Sequence, residues 1–191
     1  EIMSLPPAPP SPHLAHVFEQ SQQSAESGSP GKSHHPQEPT EASAGVWERM
    51  KCVGDPPCQR SLHAAAVWNG FMFVFGGYDG NARVNDLHCF NFATQQWSLA
   101  HSASTRPPSR DRHIAVVWDT GFYIWGGFDG LTRVNDMHRY DLLTKTWETI
   151  APSGPLVPTP RHSHAAVVYG DSMFVFGGYD GTGPPHGYKN D

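Results

Sequence analysis

The chain has 191 residues, 12% aromatic and 16% charged, a balance that suits a β-rich globular part and not a wholly disordered protein. Its 19 glycines and 18 prolines are too many for a helical bundle, and a net charge of −5 with scattered Lys and Arg offers no basic patch for nucleic acid or an anionic membrane. No apolar run approaches the roughly 20 residues that cross a bilayer, and the N-terminus carries no secretory pattern. The odd set Cys52, Cys58 and Cys89 has neither disulfide-framework nor zinc spacing, so the expectation is a soluble intracellular protein, cytoplasmic or nuclear, with reduced thiols.

Residues 1–45 read as a disordered Pro/Ser/Gln/His-rich tail. They hold five prolines between Pro6 and Pro12 and a single aromatic residue, Phe18, too little apolar surface to offset the ordering entropy of about 1 to 2 kcal/mol per residue. Leu14, Val17 and Phe18 outline a short helical docking motif as the alternative to a solvated tail. His34-His35 has no further ligand at metal-binding spacing.

The ordered part is expected over 46–191. Val46-Trp47-Glu48-Arg49-Met50 alternates as a strand does, and it forms an orphan outer strand at 46–50. From Ser61 to Trp68 the chain is small and apolar, Asn69-Gly70 marks a tight hairpin because both positions tolerate positive φ, and Phe71 to Gly77 returns. Tyr78-Asp79-Gly80-Asn81 is a loop. Asn85-Asp86 opens a third strand, Leu87 to Phe92, and Trp97-Ser98-Leu99 a fourth.

The same pattern recurs. Gly76-Gly77, Gly126-Gly127 and Gly177-Gly178 lie 50 and then 51 residues apart, and Trp47, Trp97 and Trp147 lie 50 apart. Copy 1 covers 60–100, copy 2 covers 110–150, and copy 3 covers 161–191, where Asn190-Asp191 ends the chain after a four-residue insertion in 182–189. Starting at Glu1 and stopping inside a repeat, the chain reads as a fragment.

Paired glycines after an apolar strand, an aromatic in the third strand (Phe90, Tyr140) and a tryptophan seven residues later resemble the kelch repeat, whose period is about 50 residues. The arginine before each first strand, with His three residues on and Asn-Asp opening the third strand, resembles the leucine-zipper-like regulator and host-cell-factor branches. The resemblance implies an all-β fold: a partial β-propeller of about two and a half four-stranded antiparallel blades with the orphan strand, after the disordered tail. It also implies a protein-interaction module that binds a protein partner on its loop face, as a ubiquitin-ligase adaptor or a scaffold. Kelch rings often have six blades, and an output domain such as a BTB domain would lie outside this chain.

A residue fixed at the same place in every copy is explained first by blade geometry. Gly76 and Gly77 permit positive φ and close approach. Trp97 and Trp147 fill the space between blades. His63, His113 and His164 hydrogen-bond within their own blades instead of forming a metal ring, and Asp79, Asp129 and Asp180 serve turns instead of calcium. Arg60, Arg110 and Arg161, with Tyr78, Phe128 and Tyr179, collect at one end of the blades, and in related domains such positions face the partner. An arginine in every copy is equally a brace between loops, and the sequence leaves both readings open. As a partner contact, Arg110→Ala weakens capture without lowering the melting temperature. As a brace, it loses both. Arg83 and Arg133 recur in their loops without an arginine in copy 3, while Arg106, Arg112 and His162 have no counterpart in every copy, so these loops tune partner choice. No catalytic set, metal site or cofactor is expected, and the alternative is a propeller enzyme such as a metal-dependent oxidase, which needs a nucleophile with its base or converging ligands.

Overall fold

The computed structural model describes residues 2–4, 47–154, 156–184 and 186–191. Among them lie twelve strands and no helix long and apolar enough to cross a membrane. The expected disordered tail and its docking motif lie outside the described residues, apart from Ile2–Ser4. Those three form a strand, β1.

Copy 1 folds as β3 (Ala64–Trp68), β4 (Phe71–Phe75), β5 (Leu87–Asn91) and β6 (Gln96–Leu99), paired antiparallel in that order. The hairpin between β3 and β4 turns at Asn69 and Gly70, whose φ values of 45° and 79° are the two positive angles such a turn demands. Asn91 Oδ1 accepts from the Ala93 and Thr94 amides and closes the turn into β6. Copy 2 repeats the blade as β7 (Ile114–Trp118), β8 (Gly121–Trp125), β9 (Met137–Asp141) and β10 (Thr146–Ile150). Asp141 takes the part of Asn91 in its turn. Copy 3 supplies β11 (Ala165–Tyr169) and β12 (Ser172–Phe176).

Two features differ from the sequence reading. Residues 47–50 form no strand, and Trp47 is 99% exposed; the outer strand at the N-terminal side is instead β2 (Val53–Gly54), parallel to β6. A parallel pairing needs no hairpin, so two residues suffice to extend the sheet by main-chain bonds from Val53 and Asp55. The second difference is β1, which pairs antiparallel with β12, Ile2 opposite Phe174 and Ser4 opposite Ser172. It occupies the place that β5 and β9 hold in their blades.

Two apolar clusters cement the blades. Phe73, Phe75 and Leu87 of the first meet Phe122, Ile124, Tyr140, Leu142 and Trp147 of the second. On the other side Ile114, Val116, Tyr123, Trp125 and Met137 meet Met173 and Val175 of the third. Period-two alternation sends β8 side chains into both clusters, and all of Gly121–Trp125 is buried. Trp147 fills the first interface, its ring 5.2 Å from both Phe75 and Tyr140. Trp97 does not do the same: it packs 5.0 Å from Phe90 of its own blade and stays half-buried.

Candidate functional site at the loop end of the blades

The glycine pair builds this end. Gly76 has φ +65°, and a Cβ there would lie 2.8 Å from both the Arg110 carbonyl oxygen and His113 Cε1; at Gly77, φ +101°, it would lie 2.7 Å from the Ser61 carbonyl. Gly77 N–H donates to the Arg110 carbonyl, and Gly127 N–H to that of Arg161, each at 2.9 Å. The first glycine thus admits the next blade and the second admits the start of its own. A further tie runs across all three blades: Arg112 N–H donates to the Leu62 carbonyl and Ser163 N–H to the Arg112 carbonyl, with left-handed φ of 59°, 55° and 57° at Leu62, Arg112 and Ser163.

The arginines before the first strands are braces. Arg60 donates from Nη1 and Nη2 to the two carboxylate oxygens of Asp86 at 2.6 and 2.8 Å, and from Nη1 to the Gly76 carbonyl at 3.1 Å. Arg110 does the same to Asp136 at 2.6 and 2.9 Å and to the Gly126 carbonyl at 3.2 Å. Arg161 reaches Asp191 at 2.7 and 3.4 Å and the Gly177 carbonyl at 3.1 Å. Their side chains are only 3%, 0% and 0% exposed. Bidentate guanidinium–carboxylate pairing satisfies both charges inside the fold, so of the two readings that the sequence left open for Arg60, Arg110 and Arg161, partner contact and brace, these contacts are those of a brace. Burial alone would push the Asp86 and Asp136 carboxyls up, but hydrogen bonds from the arginines and from His88 and His138 outweigh it and hold both below the usual range. The recurrence of the aspartate 26 residues after Arg60 and Arg110 was the sequence signal for this brace.

The buried histidines His113 and His164 are also structural, chiefly through ring packing. His113 is buried edge-on to Phe75, ring centres 5.5 Å apart, and His164 edge-on to Trp125 at 4.7 Å, each reaching into the preceding blade. Their ring nitrogens make no hydrogen bond of normal geometry among the described residues, although the Phe75 and Trp125 backbones lie near enough to favour the protonated rings weakly. Burial, reinforced by Arg110 and Arg161 respectively, pushes them down to about 3 and about 4. Asp79 and Asp129 hold their loops, each Oδ1 accepting two backbone amides at 2.7 to 2.8 Å; Asp180 accepts from Thr182 N–H at 2.9 Å. Asn85 and Asn135 donate to the Pro107 and Pro158 carbonyls, tying down the connectors. Among the described residues, no three His, Cys, Asp or Glu side chains come together as a metal-holding group.

The aromatic half of the predicted site is brought together. Tyr78, Phe128 and Tyr179 are half-buried and bridge to Ser61, Asp111 and His162 at the blade entrances. Arg83 lies between Tyr78 and Phe128, its guanidinium carbon 5.7 and 4.7 Å from the ring centres, and Arg133 between Phe128 and Tyr179 at 5.6 and 5.1 Å. Tyr179 then meets Tyr188 at 4.9 Å. Tyr188 takes the bridge position of Arg83 and Arg133, and the neighbouring Lys189 turns to Asp180 at 2.5 Å. The result is a ladder of rings and cations from Tyr78 to Tyr188, each cation over a ring face that attracts it. Arg83 and Arg133, read from sequence as residues of loops that tune partner choice, stand in this ladder, and the three buried arginines do not.

The chain matches the KLHDC2/KLHL20/DRC7 Kelch-repeats domain model over residues 40–189. It is 36% identical over 144 residues to a Leucine-zipper-like transcriptional regulator 1 homolog of Drosophila melanogaster, covering 71% of this chain and 15% of that protein. It is 42% identical over 53 residues to Kelch domain-containing protein 2 of Bos taurus, 28% of this chain and 13% of that protein. To the Rab9 effector protein with kelch motifs of Bos taurus it is 33% identical over 69 residues, 32% of this chain and 18% of that protein. The chain therefore spans less than a fifth of each of these relatives. With three blades in register and the glycine–arginine–aspartate architecture at their loop end, the chain belongs to the kelch-repeat family.

Proposed function

We propose that the chain is a protein-interaction module that takes a protein partner on the loop end of its blades through Tyr78, Phe128 and Tyr179 with Arg83 and Arg133. The observation that carries this reading is the interleaved ladder: half-buried rings with cations stacked on them give rigid contact area together with charge, the composition enriched at binding hot spots. The kelch relatives support the class of function, and adaptor or scaffold is the finer form of it. A ubiquitin-ligase adaptor role, with the ligase-recruiting domain elsewhere, is part of the proposal, as is an intracellular setting.

A propeller oxidase is the weaker reading. It needs converging ligands or a nucleophile with its base, whereas His113 and His164 are spent on rings of the preceding blade, and Asp79, Asp129 and Asp180 on their own turns.

The test is selection of peptides from a displayed random library on the immobilised chain, followed by affinity measurement on variants. Selected peptides should bind Phe128→Ala at least about tenfold more weakly, the loss of a single hot-spot side chain, with the fold intact by circular dichroism. Undiminished binding to Phe128→Ala and to Arg83→Ala overturns the proposal.

A further inference from the structure

The two cation steps of the ladder are not equivalent. Between blades 1 and 2, Arg83 Nε lies 3.0 Å from Asp111 Oδ2, an ion pair whose carboxylate is 2% exposed, and Arg112 contacts the other oxygen of Asp111 at 3.2 Å. One blade on, the position of Asp111 is held by His162, which makes the same bridge to Tyr179 that Asp111 makes to Phe128. Arg133 stacks just as Arg83 does, and the Nε of each is buried without a hydrogen bond of good geometry, but Arg83 Nε faces the Asp111 carboxylate whereas no carboxylate lies within ion-pair distance of Arg133 among the described residues. Its guanidinium is seated against Gly181, where a Cβ would come 2.5 Å from Nη1. The His162 ring sits beside it, centred 6.3 Å from Phe128 and 5.7 Å from Tyr179. The one nearby acid of this loop, Asp180, is already paired with Lys189.

We propose that the step between blades 2 and 3, formed by Arg133 and His162 between Phe128 and Tyr179, is a subsite for the carboxylate side chain of an acidic peptide. The partner supplies from outside the charge that Asp111 supplies from inside at the step before. A stacked guanidinium is held in the orientation a carboxylate approaches, so little ordering remains to be done on binding. Desolvation of His162, with Arg133 and Arg112 adding to it and the Asp111 charge opposing, disfavours its protonation, in keeping with an excess of positive charge at this step. The inference rests on the proposed partner surface and names the chemistry of one place in it.

The arginine Nε–Hε signals of the 15N-labelled 191-residue chain report the test directly. Titration with the tripeptide Ac-Gly-Glu-Gly-NH2 should shift the Arg133 signal saturably and the Arg83 signal little, while Ac-Gly-Gln-Gly-NH2 shifts neither. His162→Asp installs the missing internal carboxylate; it should move the Arg133 signal before any peptide is added and weaken the Glu titration at least about fivefold. Should His162→Asp not fold, Arg133→Gln takes its place, and fluorescence anisotropy should then show labelled Glu and Gln peptides binding alike. Equal shifts with both peptides, a Glu titration unchanged in His162→Asp, or a retained Glu preference in Arg133→Gln would each overturn the subsite. Such a result leaves the library selection on Phe128→Ala standing as a separate test of the partner surface.

Discussion

At the scale of single residues, the loop end separates groups that are charged and buried from groups that are charged and offered. Arg110 has its guanidinium filled by Asp136 and the Gly126 carbonyl. Arg110→Ala removes a fully buried guanidinium and leaves Asp136 with His138 and solvent, and should cost about 3 kcal/mol, seen as a clear drop in melting temperature; Arg110→Lys keeps the charge but not the planar fork and should recover only part of it. Retention of the melting temperature by Arg110→Ala would show that the brace is dispensable. The buried histidines make a second prediction. His113 and His164 stay neutral in the folded chain down to about 3 and about 4, whereas in the unfolded chain they take up protons below about 6.5. The unfolded state therefore binds more protons, and stability is lost as pH falls from 6.5 towards those values, by about 2 kcal/mol for each histidine at pH 5. Denaturant midpoints measured from pH 7 to pH 5 should fall, and should fall less steeply in a His113→Met, His164→Met double variant, whatever its absolute stability.

At the scale of elements, the repeat period placed all four strands of each complete blade, because alternation and turn chemistry are local. The direction in which a long side chain turns is not local: Arg60 and Tyr78 read as neighbours at one end, and the recurring Arg–Asp spacing hints at a pair, but the fold is needed to show Arg60 turned inward to Asp86 and Arg83 turned onto the next blade. Trp47 misled for a related reason. It keeps the spacing of Trp97 and Trp147, yet a tryptophan fills a blade interface only where a neighbouring blade and its own third strand flank it, as Phe75 and Tyr140 flank Trp147. Trp147→Ala should accordingly cost about 3 to 5 kcal/mol in a denaturant melt, and Trp47→Ala should fall within about 0.5 kcal/mol of the unaltered chain. The pairing of β1 with β12 had no signal in the sequence, since three residues bonding through their main chain carry no pattern.

At the scale of the whole array, stability is a sum of blades and of interfaces between neighbours. Blade 2 has an apolar cluster on both faces, whereas blades 1 and 3 each have one. Blade 3 presents Val167, Tyr169 and Phe176 to solvent, Tyr169 at 80% exposure. We expect marginal stability, with amide exchange slowest in β8 and β9 and faster in β3 and β11; uniform strong protection across the three blades would contradict this. That apolar face and the ring–cation ladder are two different candidate surfaces, and a single measurement decides between them. A library-selected peptide is titrated into the 15N-labelled chain and its amide shifts are mapped. The account predicts shifts concentrated at Tyr78, Arg83, Phe128, Arg133 and Tyr179. Shifts concentrated at Val167, Tyr169 and Phe176, with the loop end silent, would contradict it.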